Sequence, residues 1–180
     1  MRTYELNVAG LKRDLPICRV NDDLSIAAFI MFNDVELTIA CAEGLLKKAP
    51  EFDVILTAEA KGIPLAYEMS RQCGKPYIVA RKMNKLYMHD PVEVEVKSIS
   101  TARKQTLWLD QADMDVLNGA KVLIVDDVIS TGGSLLGLES LTEKAGGEIA
   151  GKAAVLAEGM AAERKDIFYL EVLPTFRTQE

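Results

Sequence analysis

Two adjacent carboxylates, Asp126 and Asp127, are followed by Ser130, Thr131, Gly132, Gly133 and Ser134, the residue types of a phosphate and sugar site. The small residues keep side chains away from the backbone N–H groups. A helix starting behind them adds the positive end of its dipole, so N–H groups and dipole converge on one anion. Carboxylates beside such a cradle suit sugar hydroxyls or a hard cation such as Mg²⁺. Phosphate, sugar and metal then belong to one ligand.

Two further stretches bring cations. Ala60, Lys61 and Gly62 follow an apolar run from Asp53 to Thr57; Gly62 frees the backbone, and Ile63-Pro64 opens a helix with proline in its first turn. Arg81 and Lys82 follow Tyr77 to Ala80, with Lys85 three residues on, where a polyphosphate would meet them. Each also has a plainer reading, an ordinary strand-to-helix turn with a surface lysine and a solvated charge cluster. His89, the only histidine, could shuttle a proton, although a lone loop histidine is more often plain surface. Cys18, Cys41 and Cys73 are odd in number and widely spaced among apolar neighbours, which points to core thiols rather than a disulfide framework or a zinc cluster.

Positioning these groups requires strands that deliver them to one edge. Val122 to Val125 is an apolar run of a strand buried on both faces, expected to stop at Asp126 and Asp127. Leu135, Leu138 and Leu141 then mark a helix from Ser134 that stops at Gly146-Gly147. Strands near 53–57, 77–80, 105–109, 121–125 and 151–157 predict an α/β fold, a doubly wound, mainly parallel sheet with ligands at the carboxyl ends of its strands. Val35, Ile39, Ala42, Leu45 and Leu46 form a helical stripe ending at Lys47-Lys48. Ser25 to Phe32 reads as strand or helix. Val92 to Lys97 alternates strictly, as in a ribbon with one wet face. Ala112 to Leu117 reads as a short helical turn, and Glu158-Gly159 ends the last parallel strand. Phe168, Tyr169, Leu170, Leu173 and Phe176 offer surfaces for a flat base to stack on, or simply close the core.

The run from Val122 to Ser134 closely resembles the 5-phosphoribosyl-1-pyrophosphate (PRPP) signature of type I phosphoribosyltransferases. A receiver domain would need about 100 more residues after such a strand, and a Walker B strand would need a G-x-x-x-x-G-K-[ST] upstream, which is absent. The resemblance implies that Asp126 and Asp127 face the ribose hydroxyls and, through PRPP, a Mg²⁺ ion, while Ser130 to Ser134 wrap the 5′-phosphate. It places pyrophosphate on Ala60, Lys61, Gly62, Arg81, Lys82 and Lys85, with Asp126, Asp127 and Arg81 as the catalytic set. Adenine-specific relatives usually carry Arg where this chain has Lys61, and their Tyr-Glu-Tyr-Gly run has no counterpart here. Residues 83–105 resemble the flexible loop that relatives fold over the reacting centre, and Ser98 to Thr106 is more similar to xanthine phosphoribosyltransferase and to the effector domain of the bacterial purine repressor. Ser130, which is not acidic, favours adenine, with a 6-oxopurine close behind. The implied activity is purine phosphoribosyl transfer in salvage; the alternative is a regulator that senses PRPP or nucleotide without turnover.

At 180 residues the chain suits one α/β domain, 1–180, and the resemblance adds a small hood formed by about 1–24 and 160–180. A net charge of −6 argues against non-specific nucleic-acid binding, so anionic ligands must be held locally. No apolar run approaches the roughly 18 residues of a membrane span, and Met1 to Glu5 has no signal-peptide core. The expected setting is cytoplasmic, with PRPP and a purine base as partners, no nucleic acid, no membrane, and a homodimer by family likeness.

Overall fold

The chain opens with a hairpin in which β1 (Thr3–Val8) and β2 (Leu11–Arg19) pair antiparallel. β3 (Leu24–Ala27) adds to β2, so Ser25 to Phe32 opens as a strand. Residues 2–97 and 104–177 are described in the computed structural model. Helix α1 (Val35–Lys48) is capped by Asp34, whose side chain accepts from Leu37 N–H, and it ends on Lys47 and Lys48, which complement its dipole. Arg13 of β2 grips the same Asp34 at 2.7 Å and tethers the hairpin to the helix.

Next come β4 (Val54–Ala58), α2 (Ile63–Cys73) and β5 (Tyr77–Ala80). β6 (Val92–Lys97) and β7 (Lys104–Leu109) form an antiparallel ribbon. After α3 (Gln111–Leu117), β8 (Lys121–Ile129), α4 (Gly133–Ala145) and β9 (Glu148–Glu158), a 3-10 turn (Gly159–Glu163) leads to β10 (Phe168–Leu173) and β11 (Thr175–Arg177). The parallel sheet has the order β10-β9-β8-β4-β5, and β11 pairs with β3 in a separate sheet of order β1-β2-β3-β11.

Alternation along the strands divides the core. Leu123 and Val125 pack with α1 and α2 residues such as Leu45 and Leu65. Val122 and Ile124 pack with Leu117 of α3 and Leu138 of α4. Burying a side chain such as Ile55 or Leu123, both fully enclosed, contributes roughly 1.5–3 kcal/mol. These two layers fix the sheet whose strand order reverses between β4 and β8, the crevice where open α/β sheets bind ligands.

Three expectations change. Residues 105–109 are a strand but not in the parallel sheet; β7 pairs with β6 and forms a single bridge, Trp108 to Arg81, just past the end of β5, and β10 is the fifth parallel strand. β8 does not stop at Val125. It runs through both acids to Ile129 because β9, eleven residues long, keeps pairing with it. Cys18 is exposed, so only Cys41 is a fully buried thiol.

Candidate functional site

The site forms where β4 leaves β8. β4 pairs with β8 only from Val54 to Leu56, whereas β8 continues beside β9 through Asp126, Val128 and Ile129. Past Ile124 the acids therefore have a strand on one side and the loop Glu59 to Gly62 on the other. That loop passes very close. A methyl group on Gly62 would sit 2.3 Å from Thr57 Oγ1 and 3.3 Å from Asp126 Oδ1, so only glycine fits. The Glu59–Ala60 peptide bond in this loop is cis.

The carboxylates are held differently. Asp127 is 3% exposed, and its Oδ2 lies 2.9 Å from Lys61 Nζ without the alignment of a hydrogen bond. Asp126 Oδ1 accepts from Asp127 N–H at 2.9 Å. Burial, and after it the Asp127 charge, push the Asp126 carboxyl up to about 8. Thr57 Oγ1, under Gly62, is buried without a partner.

Ser130 to Ser134 turn the end of β8 into α4, and Gly132 takes the left-handed backbone (φ +79°) that glycine adopts freely. No side chain caps this helix, so its first N–H groups remain open. They border a cavity of about 330 Å³ lined by Gln105, Asp126, Val128 and Ser130 through Leu135. Behind the loop, Arg164 Nη1 lies 2.8 Å from the point where a Gly132 side chain would begin. Asp166 holds Arg164 at 2.7 Å, and Lys152 joins Asp166 at 2.5 Å to Glu139 of α4 at 2.6 Å.

Glu59 organises the cationic side. Its Oε1 lies 2.6 Å from Arg81 Nε, its Oε2 accepts from Lys82 N–H at 2.8 Å, and Lys85 Nζ approaches to 4.0 Å. The Arg81 contact is an ion pair off the axis of a hydrogen bond. Arg81 is also pinned by paired backbone bonds with Trp108. Sequence reasoning gave Glu59 no role, because its part as a clamp depends on a contact between two separate loops. The Lys82 side chain is exposed beside Gln105 and Thr106.

A second cavity, of about 460 Å³, opens between the β3 end and the parallel sheet, lined by Ile26 to Ile30, Lys61, Val128, Ser130, Glu158 and Leu173. It shares Val128 and Ser130 with the first. Burial raises the Glu158 carboxyl from its ordinary range, and the Lys61 charge partly offsets this. Sequence reasoning placed Glu158 at a strand end without a role. Of the tail residues considered for stacking, Leu173 lines this cavity; Phe168 and Leu170 pack on the core, Tyr169 donates to Ala162 C=O at 2.9 Å, and Phe176 lies against Tyr4. His89 is exposed, its backbone bonded to Asp110 and Gln111. Of the loop over 83–105, residues 98–103 lie outside the described residues, and with them most of the stretch from Ser98 to Thr106.

A family model described as phosphoribosyl transferase domain matches residues 37–177. The purine biosynthesis transcriptional repressor PurR of Bacillus subtilis is 35% identical over 111 residues, covering 61% of this chain and 38% of that protein. A hypoxanthine/guanine phosphoribosyltransferase of Methanothermococcus okinawensis is 39% identical over 113 residues, or 63% and 58% of the two chains. An adenine phosphoribosyltransferase of Bifidobacterium animalis is 39% identical over 102 residues, or 56% and 50%. The chain thus spans about half the length of the curated relatives it matches. Among solved structures, adenine phosphoribosyltransferase from Thermoanaerobacter pseudethanolicus is similar at a TM-score of 0.67 and 23% identity, over 79% of this chain and 84% of that one. The Saccharomyces cerevisiae enzyme, complexed with an imino-altritol bisphosphate and adenine, gives 0.64 at 18% identity, over 78% and 81%. Both share the fold.

Proposed function

Because this chain belongs to the phosphoribosyl transferase domain family, we propose that it transfers the phosphoribosyl group of PRPP to a purine base, adenine first, releasing pyrophosphate. The observation that carries this reading is the pair of adjoining cavities, one ringed by open helix N–H groups and lined by Asp126, the other largely apolar, with Val128 and Ser130 common to both. A ligand with phosphate at one end and a flat base at the other fits that shape.

In this reading the Ser130 to Ser134 loop fixes the 5′-phosphate, and Asp126 with Asp127 orients the ribose. Lys61, Gly62 with Ala60, Arg81, Lys82 and Lys85 receive the pyrophosphate. A ring nitrogen of the base forms a bond to C1′ as the bond from C1′ to the pyrophosphate oxygen breaks, and the electron pair leaves with that oxygen. The centre becomes oxocarbenium-like, so position and electrostatics supply the catalysis. In this reading the acidic pair meets the growing positive charge, and the cations meet the departing negative charge.

Mg²⁺ fits as the counter-ion of the diphosphate. Among the described residues no group of three His, Cys, Asp or Glu converges as a resident metal site, while Asp126 and Asp127 offer hard oxygens on the sugar side. When bound with PRPP it would offset the leaving group's charge. The hood of this reading is made from about 1–24 and 160–180, and of these residues Leu173, in the edge strand β10, lines the base cavity. A homodimer accounts for the exposed Phe32, Val35, Ile39 and Tyr67, which border a groove of about 440 Å³, and for Met83, Leu86 and Tyr87 beyond Arg81. No helix among the described residues is long and apolar enough to cross a membrane.

The test is pyrophosphate release from Mg-PRPP with adenine, hypoxanthine, guanine, xanthine or uracil, with Asp127→Asn as control. Turnover with a purine, lost in the control, supports the enzyme; PRPP binding without turnover for any base overturns it. The second reading, a PRPP- or nucleotide-sensing regulator, draws on the similarity to a transcriptional repressor, and that same outcome would favour it.

A further inference from the structure

We propose that Glu158 selects the base, its carboxylate accepting a hydrogen bond from the 6-amino group of adenine and disfavouring a 6-oxo group at the same place. The inference rests on the cavity assignment of the preceding reading and deepens it.

Three polar side chains line the second cavity among apolar neighbours: Lys61, Ser130 and Glu158. Lys61 is already paired with Asp127, and Ser130 also belongs to the phosphate-side cavity. Glu158 is the one carboxylate there, and among the described residues it has no hydrogen-bond or ion-pair contact. It is half-buried, so water satisfies it only in part. A polar group left in that condition gains from a ligand that supplies a donor.

The carboxylate is also well placed to discriminate. Glu158 closes β9 and is held in register against Leu173 of β10, and the chain turns away at Gly159 (φ +57°). A group fixed at a strand end reads a ligand more sharply than one on a free loop. An ionised carboxylate only accepts hydrogen bonds. The 6-amino group of adenine donates, whereas the 6-oxo group of hypoxanthine presents lone pairs. A neutral amide at the same position both donates and accepts, and so would accommodate either base.

AMP and IMP differ only at the 6-substituent and at the N1 proton that accompanies the 6-oxo form, which makes them the probes. Their dissociation constants are measured by titration calorimetry for the wild-type chain, Glu158→Gln and Glu158→Leu, with melting temperatures as a folding control. Adenine and hypoxanthine turnover is assayed in parallel. The wild type is expected to bind AMP at least about tenfold more tightly than IMP. Glu158→Gln brings the ratio near one, and Glu158→Leu loses the AMP preference, while the KM for PRPP stays unchanged in both. An equal ratio in all three proteins, or a wild-type preference for IMP, overturns the inference. AMP discrimination that depends on Glu158 without turnover would sink the transferase reading and leave this one standing. Binding of neither nucleotide would sink both.

Discussion

Lys61 Nζ lies 2.9 Å from Asp127 Oδ2, across the gap between the loop after β4 and the flank of β8 that β4 leaves unpaired. Glu59 and Arg81 make the same kind of pair at 2.6 Å on the other side of that loop. Lys61 and Arg81, two of the cations proposed for a diphosphate, are thus matched internally, and an arriving ligand exchanges one anion for another. Removing Asp127 as Asn is expected to lower kcat by about 100-fold, in line with losing one well-placed electrostatic group. Lys61→Ala leaves a buried carboxylate alone, but Lys61 is half exposed and solvent screens the pair, so the cost is about 1 kcal/mol. Steady-state kinetics and urea unfolding check the two figures.

Glu59→Ala releases Arg81 and Lys85 and removes the acceptor for Lys82 N–H. The KM for PRPP is expected to rise about tenfold, because charge-assisted contacts of this kind contribute about 1.5–3 kcal/mol. Glu59→Gln keeps an acceptor for Lys82 N–H and is expected to be milder. A KM unaltered by either substitution removes Glu59 from the account.

Gly62→Ala forces a methyl group to within 2.3 Å of Thr57 Oγ1, and overpacking of this sort costs about 1–3 kcal/mol. The hydroxyl it strikes has no partner. Thr57→Ala alone is therefore expected to be nearly neutral, and in the double variant to recover most of the lost stability. A double-mutant cycle by chemical denaturation measures the coupling.

The raised Asp126 carboxyl gives a pH dependence. In the ligand-free fold it keeps its proton up to about 8, whereas in the unfolded chain it ionises near 3.8. Between those values the folded state binds the extra proton, so this group's contribution to stability is full below about 4 and is lost as pH rises through about 8. Asp126→Asn is expected to flatten that fall, raising the melting temperature relative to wild type at pH 8 but not at pH 4. Parallel melts at the two pH values decide it.

Much of this arrangement was legible because local chemistry and tertiary structure agree. Pro64 and Gly74 bracket α2, Gly146 ends α4, and the apolar run before Asp126 reads as buried strand. Where the outcome depends on a distant partner, the sequence was silent. Asp126 and Asp127 stay in β8 because β9 is long enough to hold them, and nothing in their neighbourhood reports the length of β9. Lys104 to Leu109 has the composition of a sheet strand, but its alternating neighbour Val92 to Lys97 captures it in a ribbon. Phe168 to Leu173 looked like a tail and is instead an edge of the parallel sheet. Glu59 and Glu158 carry ordinary surface residue types, and only the fold gives them company.

Arg164, backed by Asp166, Lys152 and Glu139, rests against the rear of Gly132. The signature from Val122 to Ser134 is therefore not self-supporting: its front is written in thirteen consecutive residues, its backing in side chains from α4, β9 and the turn beyond. Grafted onto another scaffold, that segment would carry the contour of the anion cradle and leave its buttress behind.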